Sequence, residues 1–216
     1  LFEHDTGHTA HHCQREEYGN HRQRTATSPL YEKKVPVKET LTLKSATFAQ
    51  GRQMGKTLIL PVRWNLATAK PVLGINPAEK LLTNGIRGSL KYSDFEWCSW
   101  TNNDSVSFTI DLLKPEVLNT LTLGCITNNG MAIHKPASVK VEVSDDNSNF
   151  REAAMQSFTP EEIFREGNFI ENLPLKLGGT QGRYVRVSAK GPGVCPASHV
   201  RSGQASRIFF DEVMLE

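Results

Sequence analysis

From Trp64 to Glu216 the chain repeats one pattern, apolar residues at every second position in short runs broken by polar turns. Val106, Phe108, Ile110 and Leu112 alternate with Ser107, Thr109 and Asp111, and Leu121, Leu123 and Cys125 alternate with Thr120, Thr122 and Gly124. Val139, Val141 and Val143 alternate with Lys140, Glu142 and Ser144. Successive side chains of a strand point to opposite faces, so each run predicts a strand with one buried face. The turn at Asp145-Asp146-Asn147 returns the chain toward Phe150. Val185, Val187 and Ala189 form a further strand, and a last one runs from Arg207 to Leu215. Only Pro160 to Arg165 reads as a short helical turn. Many short strands with no strand-helix rhythm specify an all-β fold, an antiparallel β-sandwich or jelly roll.

The upstream sequence is different. Ser28-Pro29-Leu30-Tyr31 is a turn signal, after which Leu41, Leu43, Ala46 and Phe48 alternate with a one-residue slip of the kind a β-bulge produces. Two or three strands fit into residues 28–63, too few for an independent core, so this segment is expected to lean on a neighbour. Residues 1–27 hold five of the seven histidines and almost no periodic apolar residues. No strand or helix is assigned to them, and they read as a polar tail. His11-His12-Cys13 is a poor metal motif, because adjacent residues seldom converge on one ion. The expected division is 1–27, 28–63 and 64–216.

Several function classes lose support at this level. A formal net charge of +2 leaves no electrostatic footprint for nucleic acid. No apolar run approaches the ~20 residues of a membrane span. The chain begins with Leu1, and an excised fragment is expected. Cys13, Cys98, Cys125 and Cys195 show no CxxC pair or zinc spacing and read as free thiols. Gly55-Lys56-Thr57 lacks the upstream glycine and the following helix of a phosphate loop. Asp211-Glu212 offers two carboxylates, but neighbours in a strand should face opposite sides and not share a substrate. His134 and His199 read as lone loop histidines with structural roles.

Several stretches carry a family resemblance. Leu82-Thr83-Asn84-Gly85-Ile86-Arg87-Gly88-Ser89 with Trp97, then Phe108 to Leu112, then Val143-Ser144-Asp145-Asp146 with Phe150, resemble the discoidin, or F5/8 type C, fold shared with family 32 carbohydrate-binding modules. Arg183-Tyr184-Val185-Arg186-Val187, then Gly193-Val194-Cys195-Pro196 through His199 and Gly203, ending in Ile208-Phe209-Phe210-Asp211-Glu212-Val213, resemble the C-terminal module of bacterial family 20 β-N-acetylhexosaminidases, the chitobiases. Leu41 to Phe48 with Gly51 is similar to the small Fn3-like domain of those enzymes. The resemblance implies a discoidin-like jelly-roll sandwich preceded by a partial Fn3-like segment. It also implies a non-catalytic accessory region, periplasmic or extracellular, whose parent carries the hydrolase. The catalytic (β/α)₈ barrel of ~250 residues is longer than this chain. The family pattern departs before Ser28, which makes residues 1–27 a candidate for non-native sequence that resequencing the gene would test.

Sugar sites combine an aromatic face for the C–H side of the ring with polar groups that read hydroxyls. Tyr92, Phe95, Trp97, Trp100, Asn102, Asn103 and Asp104 have this mixture, with His134, His199 and Arg201 joining from other loops. For Trp97 the core is the preferred role, since the Trp at this place in the resemblance plugs the sandwich. No cofactor is required. The resemblance implies a structural calcium held by loop carbonyls with Asn84, where the family has Asp, and Glu212, which otherwise caps a surface position. The expected partners are a glycan containing N-acetylhexosamine and the parent's catalytic barrel, with no nucleic acid and no membrane span. The alternative is a module that braces the barrel or docks a protein, with Trp97 and Trp100 as core.

Overall fold

The computed structural model describes residues 10–16, 30, 37–74, 77–100 and 105–216, with the backbone alone at 10–16 and 77–79. It divides into two compact units, Leu1–Trp64 and Asn65–Glu216. The boundary falls one residue beyond the expected one.

In the first unit, β1 (Ala10–Glu16), β2 (Leu41–Ala49) and β3 (Arg52–Val62) form an antiparallel sheet in that order. The strand β1 is a correction, because the histidine-rich segment was assigned no element. Its backbone pairs with β2 from Ala10↔Phe48 to Glu16↔Thr42, so a partner strand supplies the order that apolar periodicity did not signal. The register of β2 against β3 shifts between Ser45 and Thr47, where the alternation slips. Gly55-Lys56-Thr57 lies within β3 and opens no helix.

The second unit is an antiparallel β-sandwich. Its strands are β4 (Val72–Leu73), β5 (Cys98–Trp100), β6 (Val106–Asn128), β7 (Ser138–Ser144), β8 (Arg151–Ser157), β9 (Asn168–Lys190) and β10 (Ile208–Leu215). The order is β5-β10-β6-β9-β7-β8, with β4 also on β6. The long strands β6 and β9 serve both layers. The first part of β6 pairs with the second part of β9 (Phe108↔Val187), and its second part with the first of β9 (Leu123↔Leu173). The register breaks between Asp111 and Glu116 and again between Leu118 and Thr120. At this corner Leu113, Gly178 and Gly179 take φ of 70°, 64° and 77°, a conformation that glycine adopts without strain. Arg183 grips Asp111 with two hydrogen bonds of 2.8 Å beside the same corner.

The predicted inward residues form the core. Phe108, Ile110, Leu121, Leu123, Val139, Val141, Val143, Val185 and Val187 are all buried in one cluster. The helical turn is α1 (Pro160–Ile163). Thr159 Oγ1 accepts from Glu162 N while Glu162 Oε2 accepts from Thr159 N, a reciprocal cap that stabilises so short a helix. A 3₁₀ segment at Pro77–Thr83 was not anticipated. No helix among the described residues is long and apolar enough to cross a membrane.

Candidate functional site

Two places in the sandwich gather polar side chains. The first joins β10 to the segment 82–88. Every residue of β10 is buried, including Asp211 and Glu212. The expectation that these carboxylates face opposite sides is overturned, because the register of β10 on β6 shifts between Phe210 and Val213. An irregularity of this kind re-aims side chains, and both carboxylates meet the same loop. Asp211 Oδ2 accepts from Arg87 Nε at 2.7 Å and from Gly88 N at 2.9 Å, while Glu212 Oε2 accepts from Gly85 N at 3.0 Å. The Arg87–Asp211 pair crosses Gly124, where a Cβ would lie 1.9 Å from Asp211 Oδ1, so only glycine fits beneath it. Glu212 is 0 % exposed and caps no surface, which corrects the second expectation. Their burial, not opposed faces, keeps both carboxylates from a substrate.

Asn84 and Glu212, the expected calcium ligands, come to the same loop, where Glu212 accepts from the backbone N–H that follows Asn84. Calcium takes six to eight oxygen ligands. Asn84 Oδ1 already accepts from Ile86 N at 2.8 Å, and its Nδ2 donates to Glu96 Oε2 at 2.7 Å. Glu212 Oε1 and Asn65 Nδ2 have no hydrogen-bond partner, and the amide of Asn65 favours the charged form of that carboxyl.

Among the described residues, Trp97, Trp100 and Tyr92 each turn a ring face or edge toward the core. Trp97 takes the core role preferred for it over sugar binding: it is 7 % exposed and packs with Ile126, Ile133 and Phe209, and its Nε1 donates to the Ser89 carbonyl at 3.0 Å. A wide apolar ring gains more from this cluster than from water. The half-buried Trp100 ring stacks on Phe108 at 6.4 Å and leans on Phe210 at 5.5 Å. Tyr92 is half-buried and meets Phe209 edge-on at 6.3 Å. Phe95, by contrast, is 92 % exposed. Asn102, with Asn103 and Asp104, lies outside the described residues.

The structure does bring together His134, His199 and Arg201, and the histidines are therefore not lone. His134 Nε2 and His199 Nε2 are 3.1 Å apart. Arg201 N donates to His199 Nδ1 at 3.0 Å, which leaves the proton of neutral His199 on Nε2. That proton points to His134 Nε2, so His134 carries its own on Nδ1 and donates to Ser206 Oγ at 3.1 Å. Burial, aided by His199, pushes His134 down to about 4, so it is neutral at pH 7. Asn129 Nδ2 lies 3.2 Å from His199 Nε2 while its Oδ1 has no partner. Exchanging the two ends of this amide lets its oxygen share the His199 Nε2 proton. Arg201 Nε donates to the Gly130 carbonyl at 2.7 Å and pins its loop to the turn after β6.

His199 forms one wall of an open cleft of about 380 Å³ with Asn129, Phe164, Glu166, Gly167, Pro196, Ser198 and Val200. The capped helix α1 delivers Phe164 as its C-cap residue, edge-on to His134 at 5.0 Å and to His199 at 6.0 Å. Asn129, Phe164, Glu166 and Val200 were missed from the sequence. The one local signal was the cap at Thr159 to Glu162, which fixes where Phe164 emerges.

Comparison with known proteins follows this geometry. The family model described as F5/8 type C domain matches residues 71–202. No curated protein matches the chain. Among solved structures, the module CpGH89CBM32-6 produced by Clostridium perfringens is 17% identical with a TM-score of 0.45, covering 71% of this chain and 98% of that one. A Streptococcus pneumoniae fucose binding module is 18% identical with a TM-score of 0.45, covering 70% and 94%. The C-terminal domain of a chitobiase from Bacteroides fragilis is 16% identical with a TM-score of 0.38, covering 63% and 78%.

Proposed function

The chain belongs to the F5/8 type C domain family, and from that premise we propose that residues 65–216 are a non-catalytic glycan-binding module with its sugar site in the cleft at Phe164 and His199. One observation carries this reading: an apolar wall and convergent polar groups meet in a single open cleft. Phe164, Pro196 and Val200 offer the surface that the C–H face of a pyranose needs. Asn129, Glu166, Ser198 and His199 offer donors and acceptors for hydroxyl or acetamido groups. An N-acetylhexosamine glycan is the proposed ligand, on the strength of the residues from Gly193 to Gly203 and Ile208 to Val213. The same residues support an extracytoplasmic setting and a family 20 parent, whose barrel would carry out hydrolysis.

The burial of Trp97 and the packing of Trp100 favour a second reading, a module that braces a catalytic barrel and binds no sugar. Calorimetric titration with GlcNAc, GalNAc and chitooligosaccharides separates the two. Glycan binding predicts a Kd of about 1 mM for a small sugar, equivalent to about 4 kcal/mol. Phe164→Ala should weaken it about tenfold, because a stacked ring contributes about 0.5–1.5 kcal/mol beyond its area. Absence of heat at saturating sugar would favour the brace, and equal affinity in the variant would move the sugar site away from this cleft.

A further inference from the structure

We propose that His134, Cys195 and His199 form a binding site for a transition-metal ion of the zinc class. One ligand atom from each of the three residues lies within 4.8 Å of the others. Zinc bonds of about 2.0–2.1 Å to imidazole and about 2.3 Å to thiolate need ligand separations of roughly 3–4 Å, so small inward movements close the set. The two imidazole nitrogens, 3.1 Å apart, already lie close to that spacing. His134 is 0 % and Cys195 2 % exposed, and Phe164 packs edge-on against both histidine rings, so the ligands sit in a packed environment.

The surroundings match what a metal-bound histidine needs. A ligating imidazole donates its second N–H to a fixed acceptor, and His134 Nδ1 has Ser206 Oγ at 3.1 Å. The same hydroxyl lies 3.5 Å from Cys195 Sγ. Two imidazoles and one thiolate suit zinc, cobalt(II) or copper(I) and not calcium or magnesium. Three protein ligands leave one position open, and His199 lines the cleft.

The protons balance as follows. Cys195 binds as thiolate and releases its proton to solvent. His199 moves its proton from Nε2 to Nδ1, and Arg201 N–H, in an exposed turn, exchanges Nδ1 for water. Asn129, 3.2 Å from His199 Nε2, keeps its place in the cleft wall.

Cobalt(II) titration of the full chain, followed by absorption, tests the site. Binding predicts a thiolate-to-cobalt charge-transfer band, tetrahedral visible bands, and displacement of both by zinc. The histidine-rich segment can take up cobalt too, so three variants locate the band, each checked for native circular dichroism. Cys195→Ser should abolish it, His199→Gln should weaken cobalt binding at least tenfold, and Cys13→Ser should leave it unchanged. A band that survives Cys195→Ser, cobalt binding of undiminished affinity in His199→Gln, a band lost in Cys13→Ser, or cobalt uptake with no thiolate band overturns the assignment. Should Cys195→Ser fail to fold, His199→Gln, at a half-exposed position, decides the matter.

Discussion

Replacing Asp211 by alanine is expected to cost the sandwich about 3–5 kcal/mol of unfolding free energy. Removing one partner of a buried ion pair leaves the other charge uncompensated, and here the loss is wider than one bond. Asp211 is 0 % exposed, while the Arg87 side chain is 19 % exposed and so can recover little hydration. The alanine variant would also orphan the buried Gly88 N–H and open a void above Gly124. Arg87 keeps one bond, from Nη1 to Asn172 Oδ1 at 2.9 Å, too little to hold its charge. Urea unfolding of the wild type, each single variant and Arg87→Ala/Asp211→Ala should show a coupling of about 1–3 kcal/mol. A loss below about 1 kcal/mol for Asp211→Ala would mean that the pair does not fasten the 82–88 segment to β10.

Glu212 predicts an unusual dependence on alkaline pH. Burial pushes its carboxyl up to about 9, against the pull of Gly85 N–H, and the neighbouring Asp211 adds to the rise. The folded chain therefore binds this proton more tightly than the unfolded chain, whose carboxyl keeps its ordinary value of 4.5. Its stabilising contribution is complete below that value and is lost as pH rises toward 9. Each pH unit in that window costs up to about 1.4 kcal/mol, so a loss of about 2–4 kcal/mol is expected between pH 5 and pH 8. Glu212→Gln keeps the shape and the acceptor for Gly85 N–H but has no proton to lose. Its stability should vary less over the same range by that amount. Parallel profiles for the two proteins would place the titration elsewhere.

The sandwich was legible because each strand carries its own record of burial: Val139, Val141 and Val143 alternate in the sequence and line one buried face in the structure. What crosses the corner was not. Val106 to Leu112 and Leu121 to Cys125 read as separate strands, since the alternation fails at Leu112-Leu113. In the structure β6 runs through both, held on each side of the corner by β9. The carboxylates of β10 were misjudged for a related reason. A strand rule that sends Asp211 and Glu212 to opposite faces has no term for a register shift. Trp100 and Tyr92 pack against Phe108, Phe210 and Phe209, and residue type alone does not say which face a ring spends on the core. The cleft draws on residues 129, 164–167 and 196–200, distant segments that strand pairing and loop bonds such as Asn129 N to the Gly167 carbonyl bring together. His134 and His199, 65 positions apart, could be named singly from the sequence but not as a pair.

The central claim, that the cleft at Phe164 and His199 is a glycan site, is tested most directly by mapping amide shifts in a ¹⁵N-labelled chain during titration with an N-acetylhexosamine disaccharide. The account predicts saturable shifts concentrated at Asn129, Phe164, Glu166, Gly167, His199 and Val200. Shifts centred on Phe95 and Tyr92, or no saturable shifts at all, would contradict it.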